Sequence, residues 1–297
     1  MTFEKMEEQH SVSARTAGTL TLGKDLVVNR LGFGAMQIPG PGVWGEPAHP
    51  EEAKAALRRA VELEVNFIDT AAFYGPEVAN RFIQEALYPY PEDLVIATKV
   101  GGRRGADQSW IADMRPERIR AACEENIRQL RLEPLPLVHC RYMEDTDIPF
   151  GESVGTLAEL QREGLIRHIG VSNITLQQLR EAQAVTSIVS VQNFYNVAFG
   201  QGEDVLEVCT REQIAFIPAF PLAMGQFEHF GNRLETLSQR YHATTAQIAL
   251  AWLLTRSPIM LPIPGTSSRL HLEENIAAAG IRFTEEEMMT LERPVSQ

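Results

Sequence analysis

Long apolar runs are missing from this chain. Nowhere do about 18 apolar residues follow one another, so no membrane-spanning helix is expected. The polar opening "MTFEKMEEQHSVSART" lacks the apolar centre of a secretory signal, and residues 1–17 read as a flexible N-terminal extension of a cytoplasmic protein. Cysteine is scarce: Cys123, Cys140 and Cys209 form an odd set without CxxC spacing, which suits reduced thiols better than a disulfide framework or a zinc site. The seven histidines are scattered and HExxH is absent, so no metal is expected. Basic charge is also short. Lys and Arg number 27 against 39 Asp and Glu, a net charge of −12, and a nucleic-acid backbone binder needs the opposite balance. No repeat of 20–50 residues, low-complexity tract or Pro-rich linker divides the chain, so residues 18–297 read as one folded unit.

The remaining pattern is regular. The segment "GTLTLGKDLVVNRLGFGAM" alternates about Gly23-Lys24 and reads as an N-terminal β-hairpin leading into a strand. Helical periodicity at 50–64, 76–87, 115–130, 151–164, 175–183, 202–211 and 233–255 then alternates with short apolar runs such as "VNFIDTA", "DLVIATKV", "PLPLVHCR" and "IMLPIPG". About eight strands result, each a continuous apolar run, as parallel strands buried on both faces require. The economical reading is a (β/α)8 barrel of the α/β class, whose usual size is about 250 residues. The rival, an open doubly wound sheet, calls for GxGxxG after the first strand. "GFGAMQ" (32–37) lacks the third glycine and runs into "IPGPG" instead of a helix.

A barrel places its chemistry at the C-terminal ends of the strands. There "FIDTAAFYG" offers Asp69 and Tyr74, and "IATKV" offers Lys99. A charge ending an apolar run is expensive to bury alone, so Asp69 and Lys99 are expected to neutralise each other, either as a plain structural pair or as part of a site. An ammonium beside Tyr74 favours the ionised phenol, and such a phenol can exchange a proton with a developing alkoxide.

The motifs "DTAAFYG", "ATK", "GVSN" (170–173), "VQNFYN" (191–196) and "IPGTSSRLHLEEN" (263–275) occur in the order and spacing of the aldo-keto reductases. The chain resembles that family over roughly residues 18–292. Within it, "NRLGFGAMQIPGPGVWGEP" and "EALYPYPEDLVIATKVGGRRGADQSW" look like the bacterial NADPH-dependent pyridoxal reductase (pyridoxine 4-dehydrogenase) type. The resemblance implies an NADPH-dependent oxidoreductase that reduces a small-molecule aldehyde or ketone, with pyridoxal to pyridoxine as the nearest case. It implies Tyr74 as proton donor, Lys99 as the residue tuning it and Asp69 as the carboxylate holding the lysine. Ser172, Asn173 and Gln192 match groups that bond the nicotinamide carboxamide, and Tyr195 matches the ring stacked on the nicotinamide. In "PGTSSRLHLEEN", Gly265 and His271 stand where many members carry Lys and Arg for the 2′-phosphate. Thr266, Ser267, Ser268 and Arg269 remain as donors, and Glu274 and Asn275 match residues that contact adenine.

Aligned by its apolar run, "PLVHCRYMED" (136–145) puts Arg141 where most members end strand four with a substrate-binding histidine. Alternation points Arg141 and His139 inward, His139 one layer deeper as either a substrate contact or a core residue, and turns Cys140 toward the helices as an inert thiol. Trp44 reads as a wall of the substrate pocket or an anchor of its loop. "GGRRGADQSW" (101–110) reads as a solvated loop carrying Arg103 and Arg104. Three other functions stay open: reduction of a bulky natural-product carbonyl, a non-turnover NADPH-binding module like the potassium-channel β subunits, and a lyase using Lys99 as a Schiff base. A monomer or small homo-oligomer is expected.

Overall fold

The computed structural model describes residues 12–197, 202–225 and 233–292. Strand β1 (Thr19–Leu22) pairs antiparallel with β2 (Leu26–Asn29), and the turn between them passes through Gly23 at φ 64°. Glycine is needed there twice over, because a Cβ would also lie 2.6 Å from the His168 ring. The chain then builds a parallel sheet from β3 (Phe33–Gly34), β4 (Phe67–Asp69), β5 (Val95–Val100), β8 (Leu135–Arg141), β9 (Ile166–Ser172), β10 (Ser190–Phe194) and β11 (Ala215–Ala219), neighbours in that order. Between β5 and β8 lies a small antiparallel hairpin, β6 (Gly102–Arg104) with β7 (Trp110–Ala112).

Extended chain at residues 259–264 takes the eighth barrel position. On one side Phe216 N–H donates to Ile259 O and Leu261 N–H to Phe216 O, both at 2.9 Å. On the other, Gly32 N–H donates to Pro262 O at 2.9 Å and Gly34 N–H to Pro264 O at 3.2 Å. Pro262 and Pro264 have no N–H to return, so the ladder is thin, but it closes the (β/α)8 barrel.

Helices α1 (Pro50–Glu62), α2 (Val78–Leu87), α3 (Pro116–Leu130), α4 (Phe150–Arg162), α5 (Leu176–Val185) and α6 (Glu203–Glu212) follow the expected segments. The single helix expected over 233–255 is instead two, α7 (Arg233–Tyr241) and α8 (Thr245–Arg256). His242 turns at φ 50°, and Thr244 with Gln247 forms a reciprocal capping box that starts α8 afresh. Helix α9 (Arg269–Ala277) completes the barrel, and α10 (Glu285–Glu292), which the periodicity did not announce, follows it. Residues 1–11 of the expected flexible extension lie outside the described residues. The rest of it is anchored: Ala14–Ala17 forms a 3-10 turn capped by the Ser13 side chain, Ala14 is fully buried, and its N–H donates to Leu63 O at 2.9 Å. No helix among the described residues is long and apolar enough to cross a membrane.

Alternation along the strands separates two apolar cores. Outward residues such as Ile96, Val138 and Cys140 pack against the helices, and burial pushes the Cys140 thiol up, out of the reactive range. Inward residues Phe67, Val95, Ala97, Leu137, Ile217 and Leu261 meet Leu22, Leu26 and Val28 of the hairpin, which plugs the bottom of the barrel. Above this floor the inward layer turns polar. Lys99 is in register with His139, His139 with Gly170, and Gly170 with Ser190. His139 Nε2 lies 2.9 Å from Ser190 Oγ, directly over Gly170, where a Cβ would lie 2.4 Å from that hydroxyl.

His139 is wholly enclosed, and burial pushes its pKa down from 6.5 to about 4 against the pull of the Asp69 carboxylate. Between those values the unfolded chain binds a proton that the folded chain refuses. This stability contribution is therefore full above pH 6.5 and lost as pH falls toward 4. Roughly 3 kcal/mol rides on it. Urea unfolding at a series of pH values should show His139→Gln with a flatter acid limb than wild type; an unchanged limb would assign the loss to other groups.

Candidate active site

A cavity of about 260 Å³ opens at the C-terminal ends of the barrel strands. Gln37, Asp69, Tyr74, Arg141 and Gln192 supply polar side chains to it, and Met36, Trp110, Phe220 and Leu222 form apolar parts of its wall. Beneath it, Lys99 Nζ donates to Asp69 Oδ1 at 2.5 Å and to Thr70 O at 3.2 Å, with the lysine side chain 1% and the aspartate side chain 4% exposed. The second Asp69 oxygen accepts from Gln192 Nε2 at 3.0 Å. Burial works to strip the proton from Lys99, but the Asp69 carboxylate and then the Tyr74 phenol outweigh it, and the ammonium is held above the usual lysine range. Its nitrogen sits 4.9 Å from the Tyr74 ring centre. Asp69, Tyr74 and Lys99 are thus brought together from two strands and a loop.

Arg141, at the end of β8, reaches the same cavity. Its Nε is buried without a hydrogen-bond partner, and no carboxylate pairs with it among the described residues. A ligand acceptor placed here would relieve a real deficit. His139, a candidate substrate contact in the sequence, lies a layer below: it borders no part of the cavity and spends Nε2 on Ser190.

The aromatic platform is where the expectation needs correction. Tyr195 does not face the cavity. It is 1% exposed, stacked on Trp252 at 5.8 Å between centroids and edge-on to Phe216, and its hydroxyl donates to Glu203 at 2.9 Å. Strand alternation is the reason, since Gln192 points in and Tyr195, three residues on, points out. The ring that does line the cavity is Phe220, just beyond β11, where a left-handed backbone at φ 53° swings it inward. Its position at a strand end was the signal available in the sequence. Ser172 is buried at the end of β9, one residue before Asn173, whose Nδ2 donates to Tyr142 O at 3.0 Å and whose φ is 59°.

Gly265 borders the cavity where the first and eighth strands nearly touch; a Cβ there would lie 2.6 Å from Gly34 O. Thr266 Oγ1 accepts from Ser268 N–H at 3.0 Å and shapes the turn into α9. Ser268 gives that helix no side-chain cap, so its first N–H groups keep their donor capacity, with Arg269 and His271 exposed beside them and Ser267 half-buried. Glu274 is half-buried and Asn275 buried further along α9.

Trp44 is not part of the cavity wall either. It bridges to Gly75 and packs on Arg104, whose guanidinium lies 5.2 Å from its ring centre. Of residues 101–110, expected as a solvated loop, 106–109 are an exposed turn, while the segment's two ends pair in the β6–β7 hairpin and carry Trp110 onto the wall. Trp110, Phe220, Leu222, Met36 and Gln37 are among the lining residues that sequence reasoning missed.

Among the described residues no group of three or more His, Cys, Asp or Glu is gathered to hold a metal. A polar floor built on a buried ion pair, with one phenol and one unpaired guanidinium facing an apolar chamber, is suited to moving a proton onto an oxygen out of bulk water. A sequence model of the aldo/keto reductase family matches residues 30–294. The chain is 45% identical over 283 residues to pyridoxine 4-dehydrogenase of Escherichia coli (strain K12), covering 93% of this chain and 98% of that protein. It is 43% identical over 284 residues to an uncharacterized oxidoreductase of Schizosaccharomyces pombe, covering 96% of this chain and 92% of the relative. Among solved structures it superposes on a thermostable aldo-keto reductase in complex with the inhibitor epalrestat, with TM-score 0.82, 30% identity, and 92% of this chain and 98% of the other covered. An aldo/keto reductase from Klebsiella pneumoniae in complex with NADP and acetate gives TM-score 0.78 at 26% identity, with 94% and 96% covered. The chain belongs to the aldo/keto reductase family of oxidoreductases.

Proposed function

We propose that this NADP-dependent enzyme reduces the carbonyl group of a small aldehyde or ketone to an alcohol, with pyridoxal to pyridoxine as the nearest candidate reaction. The observation that carries the reading is the placement of Tyr74 on the cavity, directly over the buried Lys99–Asp69 pair. The similarity to a pyridoxine 4-dehydrogenase supports the substrate. NADPH, when bound, supplies the hydride. Residues of this chain fit such a cofactor: the uncapped start of α9 with Arg269 and His271 suits phosphate, and the Phe220 ring offers a flat surface for the nicotinamide in place of Tyr195. In this reading Ser172, Asn173 and Gln192 receive its amide, Gly265, Thr266 and Ser267 its phosphates, and Glu274 and Asn275 its adenine; of these, Gln192 and Gly265 border the cavity.

Tyr74 gives its proton to the carbonyl oxygen as negative charge gathers there. Lys99 stabilises the phenolate left behind, and Asp69 keeps Lys99 charged and aimed. Arg141 stabilises the developing alkoxide through its unpaired guanidinium, preorganised before the reaction begins. The tyrosinate regains its proton from water, closing the balance of one hydride and one proton per alcohol formed. A Schiff base at Lys99 would need a neutral amine, and the Asp69 contact works against that.

NADPH oxidation over an aldehyde panel that includes pyridoxal tests the proposal. Tyr74→Phe should lose turnover by at least about 10²-fold while binding NADPH nearly as wild type does. Wild-type kcat in that variant would remove Tyr74 from the mechanism, and tight NADPH binding with no turnover on any aldehyde would favour a binding module. Arg141→Met should lose more kcat than His139→Asn; the reverse order would make His139 the working group.

A further inference from the structure

The wall formed by Trp110 is held by an unusual anchor. Arg104 leaves β6 and lays its guanidinium 4.2 Å from the centre of the Trp110 ring and 5.2 Å from that of Trp44. Its Nη1 donates to Val43 O at 2.9 Å, and its Nη2 to Gly42 O at 3.2 Å and Gln108 O at 2.9 Å. One side chain therefore ties the long loop after the first barrel strand to the hairpin after the third. No carboxylate pairs with Arg104 among the described residues, and burial alone lowers its pKa. The planar fork is thus committed to carbonyl oxygens and π faces, which an ammonium cannot copy.

What Arg104 fixes is connected to the chemistry. Trp110 stands edge-on to Phe73 at 5.7 Å, and Phe73 stands edge-on to Tyr74 at 5.4 Å. The Arg141 guanidinium lies 5.8 Å from the same Trp110 ring. Trp110 is 39% exposed, too much for burial alone to hold it in one rotamer. We propose that Arg104 is a positioning residue: it clamps Trp110 into the cavity wall, makes the two loops one rigid unit, and thereby sets a preference for aldehydes that present a flat ring to Trp110. The inference rests on the reading that this cavity takes the carbonyl substrate.

Arg104→Met, Arg104→Lys and Trp110→Ala, with wild type, are assayed for kcat and KM on benzaldehyde and propanal, and hydrogen exchange is followed across residues 39–46 and 102–112. In both Arg104 variants the benzaldehyde-to-propanal ratio of kcat/KM should fall about tenfold, mainly through KM, as in Trp110→Ala, with NADPH affinity unchanged. Exchange in the two segments should rise together. An unchanged ratio in Arg104→Met, or wild-type behaviour in Arg104→Lys, would overturn the clamp, since the first makes it dispensable and the second reduces it to charge. No turnover on these two or on pyridoxal would sink the reductase reading; turnover on pyridoxal with neither of these two, or exchange that does not rise in both segments, would sink the clamp alone.

Discussion

A lysine and an aspartate buried against each other, 2.5 Å apart, are the constraint around which this barrel is arranged. Taking either charge out of water alone costs several kcal/mol, and even a pair recovers that cost only when its remaining donors and acceptors are met. Here they are met by three strands at once. Lys99 comes from β5, Asp69 from β4 and Gln192 from β10, while Thr70 O takes a second lysine proton. Thr70 is itself held, because its hydroxyl donates to Asn80, which donates in turn to Asn126 and Gln129 between α2 and α3. The pair therefore reports on barrel closure and helix packing as much as on chemistry. Its charge also sits where a phenol and a carbonyl oxygen can use it.

How much of this was legible follows from which signals have a single explanation. Asp69 and Lys99 stood out because a charge at the end of an apolar run has few other uses, and both lie where expected. The barrel was legible through its continuous apolar strands, including the proline-containing eighth, which still accepts the closing hydrogen bonds. For Tyr195 motif resemblance and alternation point opposite ways, and alternation decides: with Gln192 facing in, Tyr195 faces out. Phe220 was hidden for the opposite reason, since its inward swing depends on a left-handed backbone that breaks the period. The split between α7 and α8 was written in "TTAQ" as a capping box, but a continuing apolar stripe masked it. Ala14 looked like part of a tail because one small residue carries no periodicity, yet it is buried.

Charge is distributed unevenly with respect to this site. The chain as a whole carries −12, while Arg141 on the cavity and Arg104 packed on its Trp110 wall have no carboxylate partner among the described residues. One is committed to aromatic faces and carbonyl oxygens in the wall, and the other keeps donor capacity for a ligand. Trp110 stands between the two functions, and Phe73 links it to Tyr74. Contacts of ring edges thus run from the cavity wall to Tyr74, although the two loops that meet at the mouth contribute nothing to the barrel ladder.

The most direct measurement of the central claim is a double-mutant cycle on the buried pair, read by urea unfolding of Asp69→Asn, Lys99→Met and the combined variant. Each single change leaves a buried group without its partner and should cost about 3–5 kcal/mol, whereas the combined variant should cost far less than their sum. Additive losses across the cycle would contradict the account, because they would mean that the two side chains are held independently.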